Sequence, residues 1–290
     1  MKHTLWLPLA ASLALGACSK EPTAPATPAA DPKVAQARAA ITDYANLLMV
    51  QHKPGEAFGK YYADLLIQHD PWIGDGGKGD VEFLKKRREA EPDKYDATEN
   101  YVSVIHNILT DGEFVAIKSH IFTNPKDKGR EFVDIWRMKD GKFAEHWDII
   151  QPLDDAMAKT VGCGVGGTYE TAKQAGNTVA KPTCGEPDPT ADSAANRKLV
   201  LGAFPSDHPK AKVERAIADG DLVMVHSFVP DDKYGKSVID LYRVKGGKIA
   251  DHWDVIQQIP QFSASGRSMT GGPDTPLEPG RVKRAAKAGE

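Results

Sequence analysis

The sequence predicts an α+β fold, on three observations. Val34, Ala37, Ile41, Tyr44 and Leu48 recur at helical spacing near the start of the folded part. Further on, runs that alternate apolar and polar residues are separated by Asp-Gly or Gly-Gly pairs, the signal of tight antiparallel hairpins. Finally, "DIWRMKDGKFAEHWDIIQ" from Asp134 to Gln151 returns as "DLYRVKGGKIADHWDVIQ" from Asp240 to Gln257, an internal repeat. Helices followed by a meander, in two copies, make the chain α+β with a repeated unit.

A chain of 290 residues with 41% hydrophobic content is long enough for one or two domains of about 100 to 150 residues each, and the repeat favours two. A formal net charge of −3 provides no basic footprint for nucleic acid, so that class of partner is excluded.

Residues 1–17 read as a signal peptide: a short basic start, an apolar run from Leu5 to Leu15 that is too short to span a bilayer, then small residues. Leu15-Gly16-Ala17-Cys18 resembles the bacterial lipobox. That resemblance implies a mature lipoprotein beginning at lipid-modified Cys18, with Ser19 permitting transfer to the outer membrane. The protein would then face the periplasm and touch the membrane through its lipid anchor only. Residues 18–32 are Pro/Ala-rich and cannot bury a core, so they read as a tether. Cys163 and Cys184 remain as an even pair in an oxidising compartment, where a disulfide is expected to persist. Closing that loop is worth about 3 kcal/mol in the chain-entropy model. The spacing does not suggest zinc, and no metal site is expected.

Residues 33–155 form the first unit. Its first helix runs from Lys33 until Pro54 and Gly55 close it, and a short helix is expected over 56–63. "DLLIQHDPWIGDGG" predicts a strand ending at His69, with His69 and Trp72 at the mouth of an irregular loop. A helix over 79–91 would bury Val81, Phe83 and Leu84 and leave "KKRRE" solvated. Two strands around Asp111-Gly112 and the repeated hairpin complete the unit. Residues 156–192, rich in Gly, Pro and Thr, read as a linker stapled by the two cysteines. Residues 193–272 form a truncated second unit: a helix near 194–204, then "VERAIADGDLVMVHSF", which repeats "SVIHNILTDGEFVAIKS". The equivalents of the His69 strand and of at least one helix are missing from it. Residues 273–290, with Arg281, Lys283, Arg284 and Lys287, read as a disordered tail.

The chemistry is sought in the repeated hairpin. Pairing across a turn at Asp140-Gly141 puts Ile135 opposite His146 and Val133 opposite Asp148, so that His146, Asp148 and Arg137 share one face while Phe143, Trp147 and Ile149 line the other. A carboxylate beside an imidazole among aliphatic side chains is a candidate general base, since desolvation raises its pKa. The same alternation also describes a solvated strand face.

"IQHDP" (67–71), "DGEFVAIKSH" (111–120) and "VDIWRMKDGKFAEHWDIIQP" (133–152) resemble the SnoaL-like proteins of the nuclear-transport-factor-2-like superfamily. The resemblance covers nearly all of 33–152 and the sheet-forming part of the second copy. It implies two cones, each a curved antiparallel sheet wrapped against helices, the second truncated. It also implies that Asp148, preceded by His146, removes a proton from a small substrate, with Asp254 and His252 as the second-copy counterparts. On that basis His69 or His120 would donate to an enolate oxygen, and Tyr44, Trp72, Arg137 and Trp147 would contact the ligand, Arg243 being the counterpart of Arg137. No cofactor is required. Three functions stay open: an acid/base enzyme acting next to a carbonyl, of the aldol, isomerase or dehydratase type; a binding module for a small apolar or carbonyl-containing ligand; and an assembly role in which the two sheets make a dimer-like pair within one chain.

Overall fold

The computed structural model describes residues 31–77, 80, 102–126, 128–154, 157, 168–175, 182–204 and 210–284. Outside this set fall Cys18 with its signal and most of the tether, the expected helix residues Val81, Phe83 and Leu84, Cys163, and Lys287.

Asp31 caps the first helix, its carboxylate accepting from the Lys33 N–H at 2.8 Å. Helix α1 (Pro32–Ala45) buries Ala37, Ile41, Tyr44 and Ala45, one stripe at helical spacing, and a π-helical turn, Asn46–Val50, extends it. Helix α2 (Pro54–Tyr61) starts at the proline, whose fixed φ suits a first helical turn. It stops two residues earlier than expected because Tyr62 is already extended and opens strand β1 (Tyr62–Gln68).

Strands β2 (Val102–Thr110), β3 (Phe114–Phe122), β4 (Arg130–Lys139) and β5 (Lys142–Pro152) form an antiparallel meander, and β1 joins it in parallel on the far side of β5. The second sheet repeats the meander with β6 (Lys212–Asp219), β7 (Leu222–Val229), β8 (Lys236–Lys245) and β9 (Lys248–Gln258). Register irregularities recur at equivalent places: between Ile105 and Asn107 and between Arg137 and Met138 in the first sheet, between Val213 and Arg215 and between Arg243 and Val244 in the second. Each is a bulge, and bulges bend a sheet. The fold is therefore α+β, with helices on curved, mainly antiparallel sheets.

Helices α1 and α2 cover one face of the first sheet, where Ile41, Tyr44, Phe58, Tyr62, Ile117, Trp136 and Phe143 share a core. Helix α4 (Ser193–Ala203), capped by Asp192, covers the matching face of the second through Val200, Ala218, Val223 and Tyr242. The uncovered faces meet one another: Val133, Ile135, Trp147 and Ile149 pack with Met224, Ile239, Leu241 and Val255. Each fully buried side chain of this kind contributes about 1.5 to 3 kcal/mol, so the contact between sheets is part of the core.

Two expectations need correction. Helix α3 (Tyr169–Ala175) lies inside the stretch read as linker, its Tyr169 and Ala172 buried against Val104 and Phe122. Residues 273–284 are not a disordered tail. Val282–Lys283 (β11) pairs with Phe262–Ser263 (β10), and buried Arg281 donates to the carbonyls of Pro260 and Phe262 at 2.8 and 2.7 Å and pairs with Glu278. Arg281 is held because carbonyls and a carboxylate satisfy its guanidinium, which the composition of the segment does not reveal.

Candidate functional site

The repeated hairpin is one residue out of the expected register. Lys139 faces Lys142 and Met138 faces Phe143 across the turn, but Arg137 then faces Glu145, so Ala144 is bulged. From there Trp136 faces His146, Ile135 faces Trp147 and Asp134 faces Asp148. A single extra residue exchanges the faces. Phe143 sits on the helix-covered face with Trp136, His146 and Asp148, whereas Arg137 lies on the opposite face with Trp147.

On the helix-covered face a cluster of polar groups is buried beneath α1 and α2. Asp148 is 6% exposed, Asp70 3%, Asp80 5%, His146 4% and Gln68 fully enclosed. The Gln68 amide is oriented by Asp80: its Nε2 donates to both carboxylate oxygens at 3.1 and 2.9 Å, which turns its Oε1 toward His146 Nδ1 at 2.9 Å. His146 therefore donates from Nδ1, and its Nε2 faces Asp134 Oδ1 at 3.3 Å. The two contacts hold the imidazole between Gln68 and Asp134. The His146 ring stacks on Trp136 at 4.9 Å, which fixes its plane.

Asp148 is held well above the usual carboxylate range, first by burial, then by the charges of Asp70 and Asp134 and by a hydrogen bond to Asp70. Asp70 also accepts from the Trp72 backbone N–H at 2.6 Å. The pair resembles two acids holding one proton. Burial pushes Asp80 up to about 6, against His146 and Gln68, which favour its charge. Tyr44 and Tyr62 hydrogen-bond to each other at 2.9 Å beside this cluster, and Tyr62 is raised by burial and then by Asp80. Four buried polar atoms on this face have no hydrogen-bond partner among the described residues: Asp148 Oδ1, Ser103 Oγ, Ser119 Oγ and Trp136 Nε1. Leaving such atoms unpaired costs about 1 to 3 kcal/mol each, the situation expected where a ligand completes the bonding.

Of the expected site residues, Asp148, His146 and Tyr44 meet on this face. His69 does not, because β1 alternates: Gln68 and Asp70 point to the cluster and His69 points away. There it stacks on Trp147 at 4.8 Å, with Nε2 2.8 Å from Glu145 Oε1 and Nδ1 2.6 Å from the Ser268 carbonyl. Burial pulls its pKa down, against Glu145 and Ser268. Arg137 closes the same network with a 2.6 Å ion pair to Glu145, and Trp147 is covered by Arg215 at 3.8 Å while donating to the Gly271 carbonyl at 2.9 Å. His120 is also on that side, beside His106 and Phe122. Trp72 meets the edge of Phe262 in the C-terminal segment. These five residues are packing and bonding groups of the opposite face or of the C-terminal segment. Asp70, Asp134, Gln68 and Asp80 take their place at the cluster. The signal for Asp134 was its return as Asp240, and that for Asp70 was period-two alternation carried past His69.

In the second sheet, Asp240 faces Asp254 and Tyr242 faces His252, the same register. His252 Nε2 is 2.8 Å from Asp240 Oδ1 and its ring stacks on Tyr242 at 4.5 Å. Here Asp254 and His252 are exposed. Arg243, on the other face, bonds Asp221 at 2.5 Å and the Cys184 carbonyl at 2.9 Å.

Fold and site together define a helix-backed curved-sheet protein with a buried acid cluster in the first sheet and an open counterpart in the second. No family model matches the chain, and no curated protein matches it. Among solved structures it is similar to an NTF2-like protein of unknown function from Mesorhizobium loti, at 12% identity and a TM-score of 0.34, covering 42% of this chain and 95% of that one. A candidate polyketide cyclase from Acidithiobacillus ferrooxidans gives 20% identity, a TM-score of 0.32, and coverage of 48% and 96%. An LEH-like epoxide hydrolase from M. tuberculosis gives 17%, 0.31, and coverage of 41% and 80%. Likeness at this level assigns neither activity nor ligand.

Proposed function

We propose that this chain is a cofactor-independent acid/base enzyme acting next to a carbonyl of a small organic substrate, with the Asp70–Asp148 pair as its proton-transfer centre. The observation that carries the reading is Asp148 itself: a buried carboxyl bonded to a second carboxyl, with its Oδ1 left without a partner among the described residues. One carboxyl of such a pair takes a proton while the other keeps or returns one. Trp136 Nε1, a buried donor on this face with no partner among the described residues, would donate to the substrate oxygen on which charge develops. Proton transfer of this kind supplies about 10² to 10⁴ in rate, and stabilising the enolate oxygen supplies the rest. The substrate class follows from the face: Tyr44, Tyr62 and Trp136 offer apolar walls, and Ser103 and Ser119 offer hydroxyls for one or two polar groups. Incubating the protein in D2O with a panel of ketones and β-hydroxycarbonyl compounds, and following exchange at the carbon next to the carbonyl by NMR, tests the reading. Exchange above the buffer rate is expected for at least one compound class, and none for any class would sink it.

A second reading, a non-catalytic module for small-ligand binding or envelope assembly, is favoured by the second sheet. Its Asp254 is open to solvent, and its uncovered face contributes core to the first sheet. The same contact supports reading the chain as two SnoaL-like units paired like a dimer within one chain.

The proposal extends to location and covalent state. Cys18 would carry lipid and tether the protein to the outer membrane, facing the periplasm, as the lipobox resemblance implies. Among the described residues no helix is long and apolar enough to cross a membrane. A Cys163–Cys184 bridge is supported by the even pair that remains after Cys18 and by the oxidising compartment that the signal implies. Intact mass of the exported protein tests both, and two free thiols in it would refute the bridge.

A further inference from the structure

Trp253 and Asp251 stand in the second sheet where Trp147 and Glu145 stand in the first. Leu241 faces Trp253 and Arg243 faces Asp251, as Ile135 faces Trp147 and Arg137 faces Glu145. In the first sheet the chain fills this position with its own ring: His69 lies over Trp147, their planes 12° apart, and bonds Glu145 through Nε2. Strand β1 delivers that ring by pairing along β5. The second sheet has four strands, and among the described residues none pairs with the outer edge of β9. No ring or cation among the described residues covers Trp253. Instead Trp253 and Asp251 line an open groove of about 480 Å³ with Arg243, Lys245 and the turn at 183–185.

We propose that this groove binds a flat nitrogen heterocycle carrying a ring N–H, an imidazole-like or benzimidazole-like group that stacks on Trp253 and donates its N–H to Asp251. The inference is independent of the acid/base reading, because it concerns the opposite sheet and the opposite face. The groove is built for it in three respects. Its floor is fixed, since the Arg243 guanidinium is committed to Asp221 and to the Cys184 carbonyl. Its carboxylate is accessible: the Asp251 side chain is 45% exposed, and its nearest cation among the described residues, Lys245, is 3.9 Å away and 67% exposed, a pair that yields at little cost. Its aromatic wall is half-buried, so a stacked ring removes the remaining indole surface from water.

The same chemistry has two sources, a free heterocycle or a histidine carried on a strand of another polypeptide, and two probes separate them. Titrate the full chain, labelled at its indole nitrogens, with benzimidazole and, separately, with the peptide YADLLIQHD, the sequence of β1 through Asp70 in this chain. Benzimidazole should shift the Trp253 indole N–H saturably, with a Kd on the order of 1 mM. Asp251→Asn, an exposed substitution that leaves the fold intact, should weaken it about tenfold, as should methylation of the probe's ring nitrogen. A peptide that binds more tightly than benzimidazole places the ring on an added strand, and equal or weaker peptide binding places it on a free small molecule. Absence of a saturable shift up to about 10 mM benzimidazole, or a shift that neither Asp251→Asn nor N-methylation weakens, overturns the proposal.

Discussion

Gln151 and Gln257 make the same bond in opposite directions. The Ile256 N–H donates to Gln151 Oε1 at 2.7 Å, and the Ile150 N–H donates to Gln257 Oε1 at 2.6 Å. Each glutamine ends the repeated motif of one sheet and satisfies the backbone of the other, so one sequence feature, used twice, ties the two sheets at the strands that carry Asp148 and Asp254. Gln151→Ala and Gln257→Ala should each lower stability by about 1 kcal/mol in urea unfolding. If neither variant shifts the midpoint, the exchange does not hold the sheets together.

Asp148→Asn should make the protein more stable. Burial and three neighbouring carboxylates work against the Asp148 charge, and an amide of the same shape carries none of that penalty. A gain of about 1 kcal/mol at neutral pH is expected, alongside loss of turnover, the pattern of a site that trades stability for function. A melting temperature that falls would mean that Asp148 is a structural hydrogen-bonding group.

The contact between the sheets should loosen in acid. His226 lies far below the ordinary histidine pKa, first because it is buried and then because Arg215 and His69 face it, while its Nε2 is 2.9 Å from Ser237 Oγ. With the folded pKa depressed, the unfolded chain takes up the proton first as pH falls through about 6.5, so stability is lost below that point. From pH 6.5 to pH 5 this one group should remove about 2 kcal/mol. Comparing the wild type with His226→Gln by chemical denaturation at both pH values isolates the effect: the pH-dependent loss should shrink by about that amount, and equal slopes in the two proteins would contradict the account.

Gly220 is a backbone requirement of the second unit. It turns the β6–β7 hairpin at φ +57°, and a Cβ there would lie 2.1 Å from the Asp188 carbonyl oxygen. Its N–H donates to Ser193 Oγ at 2.8 Å, which ties the turn to the start of α4. Gly220→Ala should cost roughly 3 kcal/mol and detach the segment leading into α4, which limited proteolysis would report.

Much of the fold was legible in the residues because it rests on local rules. The stripe from Ala37 to Tyr44, the Asp-Gly turns and the repeat each specify their element without long-range help. The site was legible only in part. Asp148 and His146 stood out as a repeated pair, but the bulge at Ala144, which sends Arg137 to one face and Phe143 to the other, leaves no mark in a sequence read by alternation alone. His69 misled for a related reason: a strand carried two residues further turns it toward Trp147 and turns Asp70 toward Asp148. The buried Arg281 was hidden because the carbonyls that hold it are distant in sequence.

The most direct test of the central claim is hydrogen exchange next to the carbonyl of a responsive ketone, measured in D2O for the wild type, Asp148→Asn and Asp254→Asn under one set of conditions. The account predicts that Asp148→Asn falls by about 10² or more while binding of the ketone is little changed, and that Asp254→Asn stays near the wild-type rate. Exchange that survives Asp148→Asn, or that is lost only in Asp254→Asn, would contradict it.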